Sequence, residues 1–241
     1  MSGHSKWSTI KHKKEKADGK RAKIFTKIGR ELAVAVRDGG SPDPLINSKL
    51  RDCIAKAKAN NVPNDNIARI IKKAAGEGDT NKYENIRYEG YGPCGVAVIV
   101  ETLTDNRNRT AGDLRHYFDK FGGNMGTPGC VSFMFSQKGV IVILKEEAEE
   151  NSLMEAALEA GADDFIVDEE IFTIYTDPAD FSSVRESLEN KGYNLESAEV
   201  EMVPSTYTKI EDEESLSKMY KLLDILEDND DVQNVWHNLD D

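Results

Sequence analysis

The fold is decided by residues 139–176, which read GVIVILKEEAEENSLMEAALEAGADDFIVDEEIFTIYT. This stretch and the residues after it alternate short apolar runs, typical of strands, with segments typical of amphipathic helices. The predicted elements are a strand at 139–144, a helix at 150–160, strands at 164–168 and 171–176, a helix at 180–190 and a strand at 193–202. Their order, β-α-β-β-α-β, is that of the ferredoxin-like fold, which we expect for residues 137–204.

The segments on either side of this series predict a second mixed domain. The predicted elements are strands at 83–90 and 95–103 around a Gly92-Pro93-Cys94-Gly95 turn, a helix at 109–121, a strand at 131–135, a helix at 213–227 and a strand at 231–239. Because a lone C-terminal strand is not stable by itself, we expect it to return to the sheet that begins at residue 83. The ferredoxin-like series is then an insertion in a discontinuous domain formed by residues 79–136 and 205–241.

Residues 1–78 predict a basic arm followed by three helices. Residues 1–15 show no sustained periodicity and are interpreted as a mobile arm. From about Ala17 to Asp38 the apolar residues fall within one sector of ~120° at ~100° per residue, which predicts an amphipathic helix. Burial of such stripes against one another predicts a three-helix domain. The expected fold class is therefore α+β, with an N-terminal three-helix domain and two mixed domains.

The starts of the second and third helices are predicted from capping residues. Asp43 is the expected N-cap of the second helix, with Pro44 at its first helical position. Asn64 or Asp65 is expected to cap the third. The buried stripe of the second helix is predicted to contain Ile46, Leu50, Cys53, Ile54 and Ala57.

Charge is segregated along the chain. The formal net charge of −13 by itself argues against nucleic-acid binding, because phosphate backbones attract basic surfaces. Residues 1–78, however, contain 18 basic and 8 acidic residues, a net charge of +10, whereas residues 79–241 contain 13 basic and 36 acidic residues, a net charge of −23. A basic module is joined to an acidic body, so only the first third is expected to contact phosphate.

Cations are dense in the first thirty residues, where Trp7 and two histidines, His4 and His12, lie between them. Cations near a phosphate chain gain by counterion release, and an indole can stack on an unpaired base. This pattern favours nucleic-acid contact over a solvated tail with a few chance charges. The candidate binding residues are Lys6, Trp7, Lys11, His12, Lys13, Lys14, Lys20, Arg21, Lys23, Lys27, Arg30, Arg69, Lys72 and Lys73.

The second and third helices allow two interpretations. They could form a helix-turn-helix that reads DNA, with Arg69, Lys72 and Lys73 on the recognition helix. Any helical hairpin in a three-helix bundle has the same periodicity, and Asn66 is the one nearby residue suited to reading a base edge. Contact with the phosphate backbone suits these residues better.

Two polar loops carry further candidates. In the segment Thr104–Thr110, Asp105 or Asn108 could merely cap a helix, but Asp105, Asn106, Arg107 and Arg109 could also form a charged site. The two arginines could hold a phosphate or the carboxylate of a neighbouring domain, since a guanidinium binds both bidentately. The glycine-rich segment Gly122–Gly129 does not match a P-loop or GxGxxG, so a helix C-cap and a turn explain it better than a phosphate cradle.

Other functional classes lack their motifs. The histidines are scattered without HExxH, no GxSxG occurs, and Asp228–Asp231 lacks the Gly and Glu positions of an EF-hand loop. The three cysteines form no CxxC, which indicates reduced thiols and no zinc site. The longest aliphatic runs are strand-sized, and the N-terminus lacks an apolar secretory core, so we expect a cytoplasmic protein without a membrane partner.

Several of the quoted motifs resemble the YebC/PmpR family, which includes the mitochondrial translational activator of cytochrome oxidase subunit I. The segments that carry the resemblance are Gly3–Trp7, Lys23–Lys27, Asn61-Val62-Pro63 and above all Tyr88–Phe135, with Glu89–Pro93, Thr104–Thr110 and Gly122-Gly123-Asn124. The resemblance implies a helical N-terminal domain, two mixed domains, no cofactor and no catalytic residues. It also implies either a DNA-binding transcriptional regulator or a translation factor that acts on ribosomes stalled at sequences such as proline runs.

The leading hypothesis is a non-enzymatic, nucleic-acid-binding regulator of gene expression without a small-molecule substrate. We favour rRNA or tRNA on the ribosome, because Trp7 and the histidines suit stacking on exposed bases and the acidic body would be repelled by a long duplex. The alternative is a transcriptional regulator that binds duplex DNA through the same basic domain. An enzyme that uses His116 or Cys94, and a protein scaffold with an acidic interaction face, are the remaining hypotheses.

Overall fold

The computed structural model describes residues 3–76 and 83–240, except for the side chains of residues 3–6, 8, 9 and 12–20. The helices are α1 (Gly3–Asp38), α2 (Ser48–Ala59), α3 (Asn64–Ala75), α4 (Arg107–Lys120), α5 (Glu150–Ala160), α6 (Phe181–Asn190) and α7 (Glu213–Asp228). The strands are β1 (Glu84–Tyr91), β2 (Ala97–Thr104), β3 (Asn124–Met125), β4 (Phe135–Leu144), β5 (Asp164–Val167), β6 (Ile171–Thr176), β7 (Ser197–Pro204), β8 (Thr208–Lys209), β9 (Val232–His237) and β10 (Leu239–Asp240).

The chain forms two compact units. One comprises the residues up to Lys16 together with Phe135–Ser205, and the other comprises Ala17–Met134 together with Thr206–Asp240. Both contain helices and an antiparallel sheet, so the α+β class predicted from the sequence is confirmed. The boundaries of the three predicted domains stay a prediction.

The first unit contains the predicted ferredoxin-like arrangement. Its sheet has the order β5-β6-β4-β7, every neighbouring pair is antiparallel, and α5 and α6 form the two connections. Ile141 and Ile143 of β4 pack with Leu153 of α5 and Leu188 of α6 in one buried cluster. The observed order and antiparallel pairing are those expected of the ferredoxin-like fold.

The opposite face of this sheet is covered by the first turns of α1. Val140 and Val142 of β4 lie in a second apolar cluster that also contains Ile10, with Trp7 packed against it. Because successive side chains of a strand point to opposite faces, the unbroken apolar run of β4 requires cover on both sides. The first turns of α1 provide this cover. The helix begins at Gly3, so the prediction of a non-helical arm before Ala17 was wrong.

The β4 strand is longer than predicted, and the predicted separate strand at 131–135 is not observed. Residues Ser132–Met134 form a short 3-10 turn, and β4 begins directly after it at Phe135. The extension is stabilised by β7, since Phe135 pairs with Pro204 and Lys138 with Glu201. The two predicted strands thus become a turn and one ten-residue strand.

The sheet of the second unit has the order β3-β1-β2-β9. The C-terminal strand β9 pairs antiparallel with β2, with Val235 opposite Val100, which confirms the predicted return of the chain to this sheet. The side chains of Leu114 and Phe118 on α4 and of Met219 and Leu226 on α7 form its core with the strands. A small parallel pair, β8 and β10, completes the unit.

The second unit also contains the three helices of the basic region, whose apolar stripes share one buried cluster. The buried members of the cluster are Ile28, Leu32, Ala35, Val36, Leu50, Ala57, Val62 and Ile67. The helix α3 begins at Asn64, and Pro63 occupies the N-cap position without a side-chain cap, so neither Asn64 nor Asp65 is the cap. The predicted cap was therefore wrong by one residue for Asn64 and by two for Asp65.

The helix α2 begins four residues later than its predicted first position, Pro44. Its N-cap is Asn47, whose Oδ1 accepts a hydrogen bond from the Leu50 amide at 3.0 Å, while its Nδ2 donates to the Ala35 carbonyl. Asp43 instead accepts a hydrogen bond from the Leu45 amide in a turn. Because this turn precedes the helix, Ile46 is 77% exposed and does not belong to the buried stripe.

Candidate nucleic-acid interface

The candidate binding residues fall into three groups in the structure. The side chains of Lys6, His12, Lys13, Lys14 and Lys20 lie outside the described residues, and their backbone belongs to α1. Trp7 and Lys11 lie in the first unit, whereas the other candidates lie in the second. Their surroundings differ enough that each group has to be considered separately.

Trp7 and Lys11 contact their own unit. Trp7 packs against the apolar cluster around Ile10, and the Lys11 ammonium lies 4.9 Å from the centre of the Trp7 rings. The same ammonium forms a salt bridge of 3.0 Å with Glu170, and both side chains are half exposed. Trp7 is half buried in this contact, so only the exposed part of the indole is available to stack on a base.

The basic face of α3 points to solvent. Arg69, Lys72 and Lys73 are exposed, whereas Ile67 on the opposite face is buried. Arg69 donates a hydrogen bond of 3.2 Å to the Asn66 side chain, and within the described residues no salt bridge joins these three cations to an acidic group. The face offers three positive charges to an anion, while the Asn66 carbonyl oxygen, a candidate reader of base edges, is already an acceptor for Arg69.

The cations in the middle of α1 contact the end of α7. Lys27 Nζ donates to the Glu227 carbonyl at 2.6 Å, and Lys23 Nζ donates to the Asp228 carbonyl at 3.1 Å. The last carbonyl groups of a helix lack intrahelical partners and carry the negative end of its dipole, so ammonium groups stabilise them. Burial lowers the pKa of Lys27 to about 8, although the nearby carboxylates of Glu227 and Asp230 favour the charged form.

Close to this contact between α1 and the end of α7 lies Asp231, a carboxylate that is only 4% exposed. Its Oδ2 accepts hydrogen bonds from Arg109 at 2.7 Å and from Thr110 at 2.8 Å, and its Oδ1 accepts one from Arg30 at 3.1 Å. Burial alone would raise the pKa of Asp231, but the hydrogen bonds from Arg109, Thr110 and Arg30 outweigh it and hold the pKa below its ordinary value. Asp231 therefore joins α1, α4 and the start of β9.

Most charged or polar side chains of the loop before α4 contact other groups of the same chain. Arg109 binds Asp231 and also Asp105 at 3.0 Å, and Asn106 caps α4 by accepting a hydrogen bond from the Arg109 amide. Of the two alternatives for Arg109, the structure shows a carboxylate, although it belongs to the same predicted domain and not to a neighbouring one. The Arg107 side chain is exposed.

The glycine-rich loop binds an anion that belongs to the protein itself. The buried carboxylate of Glu89 accepts hydrogen bonds from the amides of Gly129, Val131 and Ser132 at 2.9–3.0 Å. Burial raises the pKa of Glu89, but these three amides outweigh it and lower the pKa overall. Gly122, at a φ of +79°, follows the C-cap of α4. The interpretation as a helix end and a turn is confirmed.

The residues considered for catalysis lie on different elements. Cys94 is exposed in the tight turn between β1 and β2, with a φ of 56°, and His116 is exposed on α4. All three cysteines are free thiols. Within residues 3–76 and 83–240, no group of three or more His, Cys, Asp or Glu residues could hold a metal ion. None of the helices described is long and apolar enough to span a membrane.

Sequence reasoning missed two features of this site. The role of Asp231 could not be read from its neighbours, because its partners Arg30 and Arg109 are 201 and 122 residues away in the chain. Two further exposed cations, Lys49 and Lys58, lie on α2, and their outward position follows from the helical periodicity. They add to the positive charge of the helical region.

Comparisons with known proteins cover nearly the whole chain. Residues 5–77 match the family model of the TACO1/YebC protein N-terminal domain, and residues 83–239 match that of the TACO1/YebC second and third domain. A probable transcriptional regulatory protein of Acetivibrio thermocellus is 63% identical over 99% of this chain and 98% of its own length. One of Caldicellulosiruptor bescii is 61% identical over the same shares.

A solved structure shows the same fold. The crystal structure of a conserved hypothetical protein, Aq1575, from Aquifex aeolicus superposes with a TM-score of 0.84 at 46% sequence identity. The match covers 94% of this chain and 93% of that protein. The two-sheet α+β architecture is thus shared with an experimentally determined structure.

Proposed function

Since the chain belongs to the TACO1/YebC family, we propose that it is a non-enzymatic, nucleic-acid-binding regulator of gene expression. The relatives from Acetivibrio thermocellus and Caldicellulosiruptor bescii are named probable transcriptional regulatory proteins, which supports a role in regulation. The finer proposal is that the protein binds RNA on the ribosome through its helical region.

The observation that carries the proposal is the exposed basic face of α3, formed by Arg69, Lys72 and Lys73. Lys72 and Lys73 lie in the last turn of α3, where cations also favour the helix dipole, but Arg69 lies in the middle of the helix. Within the described residues none of the three forms a salt bridge, so together they offer a positive surface to an anion. Lys27 and Arg30 already contact the C-terminal end of α7 and Asp231, so phosphate binding by these two residues would require that contact to open. We therefore assign the main contact to α3, and Lys49 and Lys58 of α2 are further exposed cations of the helical region.

The chemistry of the α3 face favours the phosphate backbone over base edges. Lysine and arginine on an exposed helix contact phosphates without reading sequence, and Asn66 is engaged by Arg69. The acidic remainder of the chain, with its net charge of −23, would be repelled along a long duplex. A folded RNA that presents phosphates locally fits this distribution better. Stacking by Trp7 supports RNA less than the sequence suggested, because the indole is half buried against an apolar cluster.

A charge variant of α3 tests the binding proposal. We expect that replacing Arg69, Lys72 and Lys73 with Gln weakens binding to ribosomal RNA fragments and to bulk tRNA. The slope of log Kobs against log salt should fall by about 0.7–0.9 for each phosphate that the variant no longer neutralises. Binding is measured by fluorescence anisotropy between about 50 and 200 mM salt, the range over which such interactions change affinity strongly.

The matched control removes the same amount of charge from the acidic part of the chain. Lys209, Lys218 and Lys221 are exposed, and their replacement with Gln should leave affinity and salt slope unchanged. A wild-type protein whose binding does not depend on salt, or an α3 variant indistinguishable from the control, contradicts the proposal.

Regulation of transcription is the second candidate function, because the relatives carry that name and α2 and α3 are joined by a short turn with Asn61 at a φ of 57°. UV cross-linking in cells, followed by sequencing of both RNA and DNA, distinguishes the two. We expect ribosomal or transfer RNA among the cross-linked molecules. Recovery of promoter DNA without RNA would establish the DNA-binding alternative instead.

A further inference from the structure

The outer face of α4 contains a glycine that nothing in its own unit requires. Gly112 lies in the middle of this 14-residue helix, and apart from its two chain neighbours and the backbone of its own helix no described atom lies within 4 Å of the position that its Cβ would occupy. Glycine is among the least favourable residues in a helix interior. Gly29 of α1 differs, because the side chain of Ile70 lies 3.3 Å from the corresponding position and explains the small residue there. Gly112 has no such neighbour.

The side chains around Gly112 are polar or basic. Residues three and four positions away on a helix lie beside one another, so Gly112 is flanked by Asn108, Arg109, Arg115 and His116. All four are exposed. Within the described residues, Arg115 has no salt bridge to an acidic side chain, while Arg109 uses Nη2 to bind Asp105 and Asp231.

The charge of α4 contrasts with that of the surrounding chain. Four of the 13 basic residues in 79–241 lie on this one helix, namely Arg107, Arg109, Arg115 and Lys120. The exposed acidic residue of the helix, Asp119, lies two turns beyond Gly112, and Asp113 is half buried. The contact of Arg109 with the buried Asp231 holds the first turn of the helix in place, so the face is presented on a rigid element.

We propose that the outer face of α4, centred on Gly112, is a second contact for the phosphate backbone of the RNA bound by the protein. The absence of a Cβ lets a sugar-phosphate chain approach the helix closely, and Arg115 and His116 then reach its phosphates from either side. The proposal rests on the nucleic-acid-binding function proposed above and adds a contact in the part of the chain whose net charge is negative.

A protein partner fits this face less well. Protein interfaces depend on buried aromatic and aliphatic anchors at their centre. The large exposed apolar side chains of the described residues lie elsewhere, on Leu45, Ile46, Phe133, Met154, Leu158, Val167 and Tyr207. The α4 face has a bare helix backbone at its centre, with exposed Arg115 beside it and polar side chains around it, and this surface suits a phosphate backbone better than an apolar partner.

Two single substitutions test the inference in the full chain. Gly112→Gln adds bulk without charge and improves helix propensity, so the thermal midpoint should stay the same or rise. We expect this variant to bind ribosomal RNA fragments roughly tenfold more weakly, the decrease that corresponds to one charge-assisted hydrogen bond. Arg115→Gln should lower the slope of log Kobs against log salt by about 0.7–0.9. The control is Ser217→Gln on α7, an exposed mid-helix position where affinity should not change.

The result separates this inference from the proposed function. If Gly112→Gln and Arg115→Gln both bind RNA as the wild type does, while the α3 variant loses affinity, the α4 contact is overturned and the proposed function stands. If the wild-type protein does not bind RNA in a salt-dependent way, the proposed function fails together with the inference. Weaker binding by both α4 variants at unchanged thermal midpoint supports the contact.

Discussion

At the scale of single residues, two buried carboxylates, Asp231 and Glu89, hold segments of the chain together through several hydrogen bonds each. Asp231 accepts hydrogen bonds from Arg30, Arg109, Thr104 and Thr110, and its side chain is almost completely buried. A buried carboxylate is tolerated only with such partners, because desolvation of an unpaired charge is strongly unfavourable. The same principle holds for Glu89 and its three amide donors.

The first prediction at this scale concerns Asp231. Asp231→Ala removes the carboxylate of Arg30 and leaves Arg109 with Asp105 alone, so we expect the free energy of unfolding to fall by about 3 kcal/mol. Urea denaturation at pH 7 measures the change. Asp230→Ala is the control, because Arg30 contacts only the backbone carbonyl of Asp230 and the side chain is exposed. Equal effects of the two substitutions would contradict the role given to Asp231.

The second prediction concerns pH. The pKa of Lys27 is lowered from 10.5 to about 8, so between about pH 8 and 10.5 the folded protein binds fewer protons at this site than the unfolded chain. Stability therefore rises with pH across this window, since the unfolded state binds more protons there. In Lys27→Met this rise should be absent. Urea denaturation at several pH values compares the variant with the wild type and with Lys221→Met, an exposed control that should retain the rise.

At the scale of elements, the most informative case is the first helix. Periodicity located its apolar stripe between Ile24 and Val36, where six or more residues contribute, but only Trp7 and Ile10 mark the preceding turns. Two apolar residues three positions apart are too weak a local signal for a helix. The missing information was in β4, whose unbroken apolar run requires a cover on the face that α5 and α6 leave open.

The prediction at this scale tests that cover. Ile10→Ala removes buried apolar surface from the face of the sheet opposite α5 and α6, and we expect a decrease of about 2–4 kcal/mol in the free energy of unfolding. Leu158→Ala on α5 is the control, because Leu158 is 54% exposed and its truncation should cost little. If thermal and urea unfolding of Ile10→Ala match those of the control, the first turns of α1 do not stabilise the sheet.

Caps show why element boundaries are harder to predict than elements. Asp43-Pro44 and Asn47 both suit a helix start, and the sequence offers no local reason to prefer one. Asn47 is the cap because its amide group also donates to the carbonyls of Ala35 and Ser41, which belong to the end of α1 and the turn after it. The position of the N-cap thus depends on a contact between α2 and the end of α1.

At the scale of the whole molecule, the basic residues of the first third have two different roles in the structure. Part of the positive charge of the first third binds the C-terminal segment, through Lys23, Lys27 and Arg30. Among the described side chains of the helical region, further exposed cations are Lys49 and Lys58 of α2, Arg69, Lys72 and Lys73 of α3, and Arg21 and Arg37 of α1. The tests of the α3 and α4 faces therefore measure the binding function, whereas variants of Lys27 or Arg30 would change stability and binding together.

The sequence by itself determined the α+β class, the β-α-β-β-α-β order and the separation of basic from acidic segments, because periodicity, element order and composition are local or additive properties of the chain. Only the tertiary structure decided which cations remain available to a partner. Arg30 and Asp231 are 201 residues apart, and Lys27 and Glu227 are 200 apart. Whether a charge is paired depends on which distant segment folds against it, and local sequence patterns do not predict such long-range contacts.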